Sequence, residues 1–237
     1  MIITVLNNLT ETDKSRAIEK LIQNSTPHQD FFMMVIFSVL MATFGLLIDS
    51  SAVIIGSMLI APILYPVLSL SLGVVMSDYR LISRSFNTIL RSVVFGVAAS
   101  AVVTLLFSKM GSGTGFEIIA RTKPSLMYAA IAVIAGMAAS FALIKPRLND
   151  TLPGIAISVA LIPPVAVIGI GIAKWDWGIM SSALVLLLIN VLGIVFASML
   201  VFSLLNLYVK RTVAREVIEE EDKKLKTDKE TGQEILN

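Results

Sequence analysis

The chain has 237 residues, 56% of them apolar and 15% charged, with a mean hydropathy of +0.84. That balance excludes an ordinary water-soluble domain and points to an integral membrane protein. Cysteine is missing, which excludes disulfides and thiolate metal sites, and the net charge of +2 informs only through its distribution.

Residues 1–30 read as a cytoplasmic amphipathic leader. They hold no apolar run of the signal-peptide kind, so the first span is expected to double as the insertion signal. Thr10 and Asp13 have capping-box-like spacing, and Ile18, Leu21 and Ile22 form one apolar side. A short helix over 10–23 follows, lying on the membrane surface, against a partner subunit or simply in water. His28 stands alone beside Pro27, without the companions a metal ligand needs.

Six stretches then match a hydrocarbon core that takes about 20 apolar residues to cross: 31–48, 53–76, 88–107, 125–144, 151–173 and 179–209. They predict helices, because a membrane β-barrel alternates in segments of about ten residues. The expected fold is an all-α polytopic membrane protein with six transmembrane helices over 31–209. Between the second and third spans, 78–91 mixes aromatic and aliphatic residues with Arg80, Arg84 and Arg91, which predicts an interfacial helix whose arginines meet anionic headgroups. The glycines at 111, 113 and 115 predict a flexible turn rather than a phosphate loop, since no strand precedes them and no Gly-Lys-Ser/Thr follows. Trp175 and Trp177 read as an interfacial anchor. The charged tail, 210–237, is expected to extend the last helix by several turns and to fray near Thr227.

Cation placement orients the chain. With the N-terminus inside, the inner segments hold Lys14, Arg16, Lys20, Arg80, Arg84, Arg91, Lys145, Arg147, Lys210, Arg211 and Arg215. The outer segments hold Lys109, Arg121, Lys123 and Lys174. This asymmetry predicts a multi-pass protein of the cell membrane with both termini cytoplasmic.

The second and fifth spans share a motif. Asp49 and Asp150, Ser57 and Ser158, and Pro62 and Pro163 are each 101 residues apart. Each repeat, about 31–107 and 125–209, contains three spans, so the second copy enters the membrane from the opposite side. The expectation is two inverted three-helix repeats, with helices 2 and 5 broken by proline. Asp49 then falls at an outer helix end and Asp150 at an inner one, as helix caps or as the mouths of a pathway.

Proline has no N–H and displaces the carbonyl four residues earlier. Pro62 and Pro66 are expected to free the carbonyls of Met58 and Pro62, and Pro163 and Pro164 those of Val159 and Ala160. Together with the hydroxyls of Ser57 and Ser158, these make a small, neutral, oxygen-rich cavity near the bilayer midplane. It would suit a monovalent cation, water or a small polar solute. The competing reading is two plain kinks, with each serine bonded back to its own helix. Asn190, the most polar group of the sixth span, reads as an interhelical hydrogen bonder beside that pathway, and Gly45, Gly96, Gly136, Ala139, Gly169 and Gly171 as close-packing positions.

The stretch from Asp49 to Pro66, followed three spans later by Pro153 to Pro164, resembles the uncharacterised prokaryotic hydrophobic membrane-protein family named domain of unknown function 389. The resemblance covers about residues 10–210. It implies a multi-pass membrane protein of bacteria or archaea and brings no substrate or catalytic residue with it.

The function expected from these features is a transporter or channel for a small solute or ion, with its pathway between the two broken helices. Ionisable residues deep in a span usually mark proton relays, and none occurs here, so passive conduction or sodium coupling through hydroxyls and carbonyls fits better. The alternative is a non-transporting sensor or scaffold that recruits partners through its cytoplasmic ends. An enzyme is not expected, because the aspartates fall at opposite faces and the histidine is peripheral. No cofactor, metal or nucleic acid is implied. The expected partners are membrane lipids, the small solute or monovalent cation, and further copies of the chain in a homo-oligomer.

Overall fold

The computed structural model describes residues 10–107, 115–145, 148, 151–152, 154–155 and 161–235. The helices are α1 (Glu11–Ser25), α2 (Gln29–Leu47), α3 (Ser51–Met58), α4 (Leu64–Met76), α5 (Tyr79–Phe107), α6 (Phe116–Ala120), α7 (Leu126–Ile144), α8 (Ile162–Ala173), α9 (Trp177–Leu204) and α10 (Arg211–Ile235). A 3₁₀ turn, Leu207–Lys210, joins the last two. No strand occurs among the described residues.

Four helices, α2, α5, α7 and α9, are long and apolar enough to cross a membrane. The chain is thus all-helical and compatible with a membrane protein, with four such helices where six were expected. The second expected span is divided between α3 and α4, with Pro62 in the stretch between them. The fifth is represented by α8. At 1.5 Å per residue, α4 and α8 are each about 20 Å long or less, short of a hydrocarbon core of roughly 30 Å. Pro66 lies in the first turn of α4, and Pro163 and Pro164 in the first turn of α8. There a missing N–H sacrifices no helical hydrogen bond.

Both short helices pack against the same two long ones, α5 and α9, while α2 lies on α5 and α7 on α9. Close approach depends on small residues. A Cβ added to Gly136 would sit 2.8 Å from the Cα of Ile194, and one on Gly169 would sit 2.5 Å from the Cβ of Ser100. The Ser100 hydroxyl then donates across the α5–α8 contact to the Ala166 carbonyl at 2.7 Å.

One helical corner is built three times. At each, a residue with left-handed backbone, Asp49, Ser77 or Trp175, ends a helix. The next N–H, of Ser50, Asp78 or Asp176, donates to the carbonyl of Gly45, Gly73 or Gly171 at 2.8–2.9 Å. A side chain on any of these glycines would meet backbone of the following helix: the N–H nitrogens of Ile54, Ile82 and Met180 lie 3.1, 3.0 and 2.9 Å from the added Cβ. Asp78 and Asp176 cap the helices that follow, accepting from Leu81 and Ile179 at 3.2 and 3.0 Å. These last two corners are related residue for residue: Gly73 and Gly171, Asp78 and Asp176, and Ile82 and Met180 are all 98 positions apart.

Three sequence expectations change. Residues 79–107 form one continuous helix, not an interfacial helix that turns into a span, because Asp78 starts it and no breaker interrupts it. The leader has the predicted capping box, with Thr10 and Asp13 exchanging hydrogen bonds, but its apolar side is buried against α4, α7 and α10 of the same chain. The tail does not extend the last helix. Asn206 adopts a left-handed conformation, the chain turns, and α10 packs back on α1 with Ala214, Val217 and Ile218 buried.

Candidate functional site

The predicted site centres on the interval between α3 and α4. Ser57 is fully buried, and its hydroxyl donates to the Ile54 carbonyl of its own helix at 2.6 Å. Of the two readings of this serine, the back-bonded one therefore describes its hydroxyl. The Ser57 carbonyl instead accepts from the hydroxyl of Ser38 on α2 at 2.6 Å and from the Ile60 N–H at 3.1 Å. The carbonyl of Pro62, expected to be free, accepts from the Tyr65 N–H at 3.2 Å, because the chain tightens into a turn ahead of α4. Two of the expected oxygens, the Ser57 hydroxyl and the Pro62 carbonyl, are thus engaged in local bonds.

What the interval does build is a cavity of about 140 Å³, lined by Met58, Leu59, Ile60, Ala61, Pro62, Leu64, Tyr65, Leu68 and Leu152. Its walls are apolar except for the Tyr65 side chain and backbone groups. Pro62 also lines a second, larger space of about 560 Å³. That vestibule is walled by Gln23, Asn24, Thr26, His28, Gln29 and Asp30, by Phe31 and Met34 of α2, and by Leu225 and Asp228 of α10. Pro62 is the residue common to both linings.

Of the other predicted residues, Pro66, Pro163, Pro164 and Asn190 are buried within the bundle, Asn190 in the middle of α9. Asp150, Ser158 and Val159 lie outside the described residues. Asp49 does not cap its own helix. Ser50 holds that position, and the Asp49 carboxylate reaches across to accept the Glu117 N–H at 2.7 Å, capping α6. A side chain at Gly115 would collide with that carboxylate at 2.7 Å. Glu117 is itself buried, and its carboxylate accepts from Ser51 and Arg121. Asp49 thus caps a neighbouring helix while the residue itself stays exposed.

A second polar cluster lies where α1 and α10 meet the α4–α5 corner. Asp78 is buried and accepts from Arg215 at 2.9 Å and from Arg211 at 3.5 Å. Arg84 donates to Asp222 at 2.9 Å and to the Thr26 hydroxyl at 2.8 Å. Buried Glu221 meets Lys224 at 2.9 Å and His28 at 3.4 Å. Burial pushes the Asp78 and Glu221 carboxyls up. Hydrogen bonds from Arg215 and Leu81 to the first, and from Lys224 and His28 to the second, outweigh it and hold both below the usual carboxylate range. Sequence reading missed Ser38, Tyr65 and Asp78 as site groups. For Asp78 a signal existed: the Gly-x₄-Asp spacing it shares with Asp176.

No group of three or more metal-ligating side chains occurs among the described residues. No solved structure matches the chain. A curated relative, described as uncharacterized protein MJ0678 of Methanocaldococcus jannaschii, is 32% identical over 171 residues, 72% of this chain and 52% of the relative. The chain spans about half the length of that relative. The model of the family described as domain of unknown function (DUF389) matches residues 58–196. The matched region runs from the end of α3 into α9 and so takes in Pro62, the cavity lining beyond Met58 and the 98-residue corner repeat. The chain belongs to the DUF389 family.

Proposed function

We propose that the protein is a membrane transporter or channel for a small solute, with its pathway running through the interval between α3 and α4. The observation that carries this reading is the position of Pro62, shared by a polar vestibule and a small, partly open apolar cavity beside it. The cavity lining, apolar with one tyrosine, suits a small uncharged or weakly polar solute better than a bare cation. A desolvated ion needs several oxygens, and among the side chains of the lining only Tyr65 offers one.

The wider architecture we infer is six membrane segments arranged as two inverted three-helix repeats, with segments 2 and 5 broken at Pro62 and at Pro163. Support comes from the shared packing of α4 and α8 on α5 and α9, and from the corners 98 residues apart. The cation asymmetry of the sequence supports a cell-membrane location with both termini cytoplasmic.

The test is flux in proteoliposomes, with glycerol followed by stopped-flow light scattering and potassium by an enclosed dye. Ala61→Phe places a ring in the cavity and is expected to abolish the glycerol flux of the wild type. Equal flux in both proteins would remove the pathway. Ser57→Ala/Ser158→Ala is expected to conduct nearly as wild type, since the Ser57 hydroxyl is committed to Ile54. The second reading, a sensor or scaffold module, is favoured by the ion pairs that join α10 to the rest of the chain. It becomes the better one if the wild type moves neither solute.

A further inference from the structure

The vestibule that reaches Pro62 is walled on one side by the tail helix, through Leu225 and Asp228. The chain gets there by turning back at Asn206 and laying α10 across α1. Among the described side chains of α10 the buried apolar ones are Ala214, Val217 and Ile218, a short stripe.

The remaining anchors are mostly ionic, and they tie α10 to three places: the α4–α5 corner, α5, and the link between α1 and α2. Arg215 reaches Asp78 at the α4–α5 corner at 2.9 Å. Asp222 meets Arg84 on α5 at 2.9 Å. Glu221 meets His28, in the link between α1 and α2, at 3.4 Å. The Arg215 and Asp222 side chains are about half exposed, so solvent and salt weaken these pairs far more than they weaken the packed bundle. A helix held by a short stripe and screened ion pairs opens at lower free energy than the core and can do so as a unit. Among the described side chains of α10 only Ala214, Val217, Ile218 and Glu221 are buried, so its release would leave the long helices in place while removing one wall of the vestibule.

We propose that α10 is a releasable strap that narrows the vestibule and controls access to Pro62. The proposal rests on the reading of Pro62 as part of the pathway, and its test separates the two. The chain has no cysteine, so a single introduced one reports alone. Phe31→Cys, on the vestibule wall and buried with α10 in place, is labelled with a membrane-impermeant maleimide in the reconstituted 237-residue chain, in Arg215→Gln/Asp222→Asn, and in a form lacking 212–237. Released forms are expected to label about tenfold faster, as is the intact chain in about 1 M salt, where the screening length falls to roughly 3 Å.

A lock completes the test. Asn24→Cys/Leu225→Cys joined by a short bis-maleimide is expected to hold glycerol flux at or below the wild-type level even in the Arg215→Gln/Asp222→Asn background. If labelling at residue 31 is the same with α10 tethered and released, the strap is wrong whatever the flux shows. If labelling rises on release while no form moves glycerol or potassium, the strap stands as a cover and the transport reading falls.

Discussion

Arg215 places its Nε 2.9 Å from Oδ2 of Asp78, while Oδ1 of the same carboxylate accepts the Leu81 N–H at 3.2 Å. One buried side chain therefore starts α5 and tethers α10. Aspartate serves both ends because it is a good helix cap and carries the charge an arginine seeks.

Asp78→Asn separates the two roles. Asparagine caps about as well, so α5 should persist, while the tether loses its charge at a cost of about 1 kcal/mol given the half-exposed Arg215. Limited proteolysis within α10 should accelerate several-fold. Unchanged protection would mean that the apolar stripe holds the helix alone.

The same tether has a pH dependence with a definite sign. Asp78 and Glu221 titrate below their ordinary values of 3.8 and 4.5 when α10 is docked. Their contribution is complete above the ordinary values and is lost as pH falls through the lower, docked ones. A fluorophore at Lys223→Cys should report undocking only below about pH 4. A midpoint above pH 5 would assign the tether to other groups.

The corner glycines tolerate no side chain. Gly73→Ala and Gly171→Ala put a Cβ 3.0 and 2.9 Å from backbone nitrogens that cannot rotate away. Each should cost about 1–3 kcal/mol, read as a drop in thermal midpoint in detergent. Gly154→Ala, with nothing within 4 Å of the added carbon, is the control.

Serines divide by partner. Ser38→Ala leaves the buried Ser57 carbonyl without its cross-helix donor and should cost about 1 kcal/mol. Ser69 and Ser85 are buried with hydroxyls that find no partner, so alanine there should be neutral or stabilising by up to about 1 kcal/mol. A loss of stability at either would reveal a bound water.

Much of this protein follows from the sequence by itself. Helical, membrane-compatible character is set by apolar content and run length, because transfer out of water is summed residue by residue. The Thr10–Asp13 cap and the helix-starting positions of Pro66, Pro163 and Pro164 are likewise local, since they depend on a missing or satisfied N–H within one turn. The 101-residue repeat pointed to the α3–α4 interval and to Pro62.

What neighbours each group met was decided only in three dimensions. An apolar stripe on α1 or α10 dictates that a face be buried but not against what, so the leader and tail were read as surface elements and instead pack on each other. The Ser57 hydroxyl had two acceptable partners, and its buried setting left it on Ile54. Asp49 found Glu117 68 positions away, and Asp78 found Arg215 137 positions away. Those pairings depend on how the helices close around one another, which no local pattern encodes.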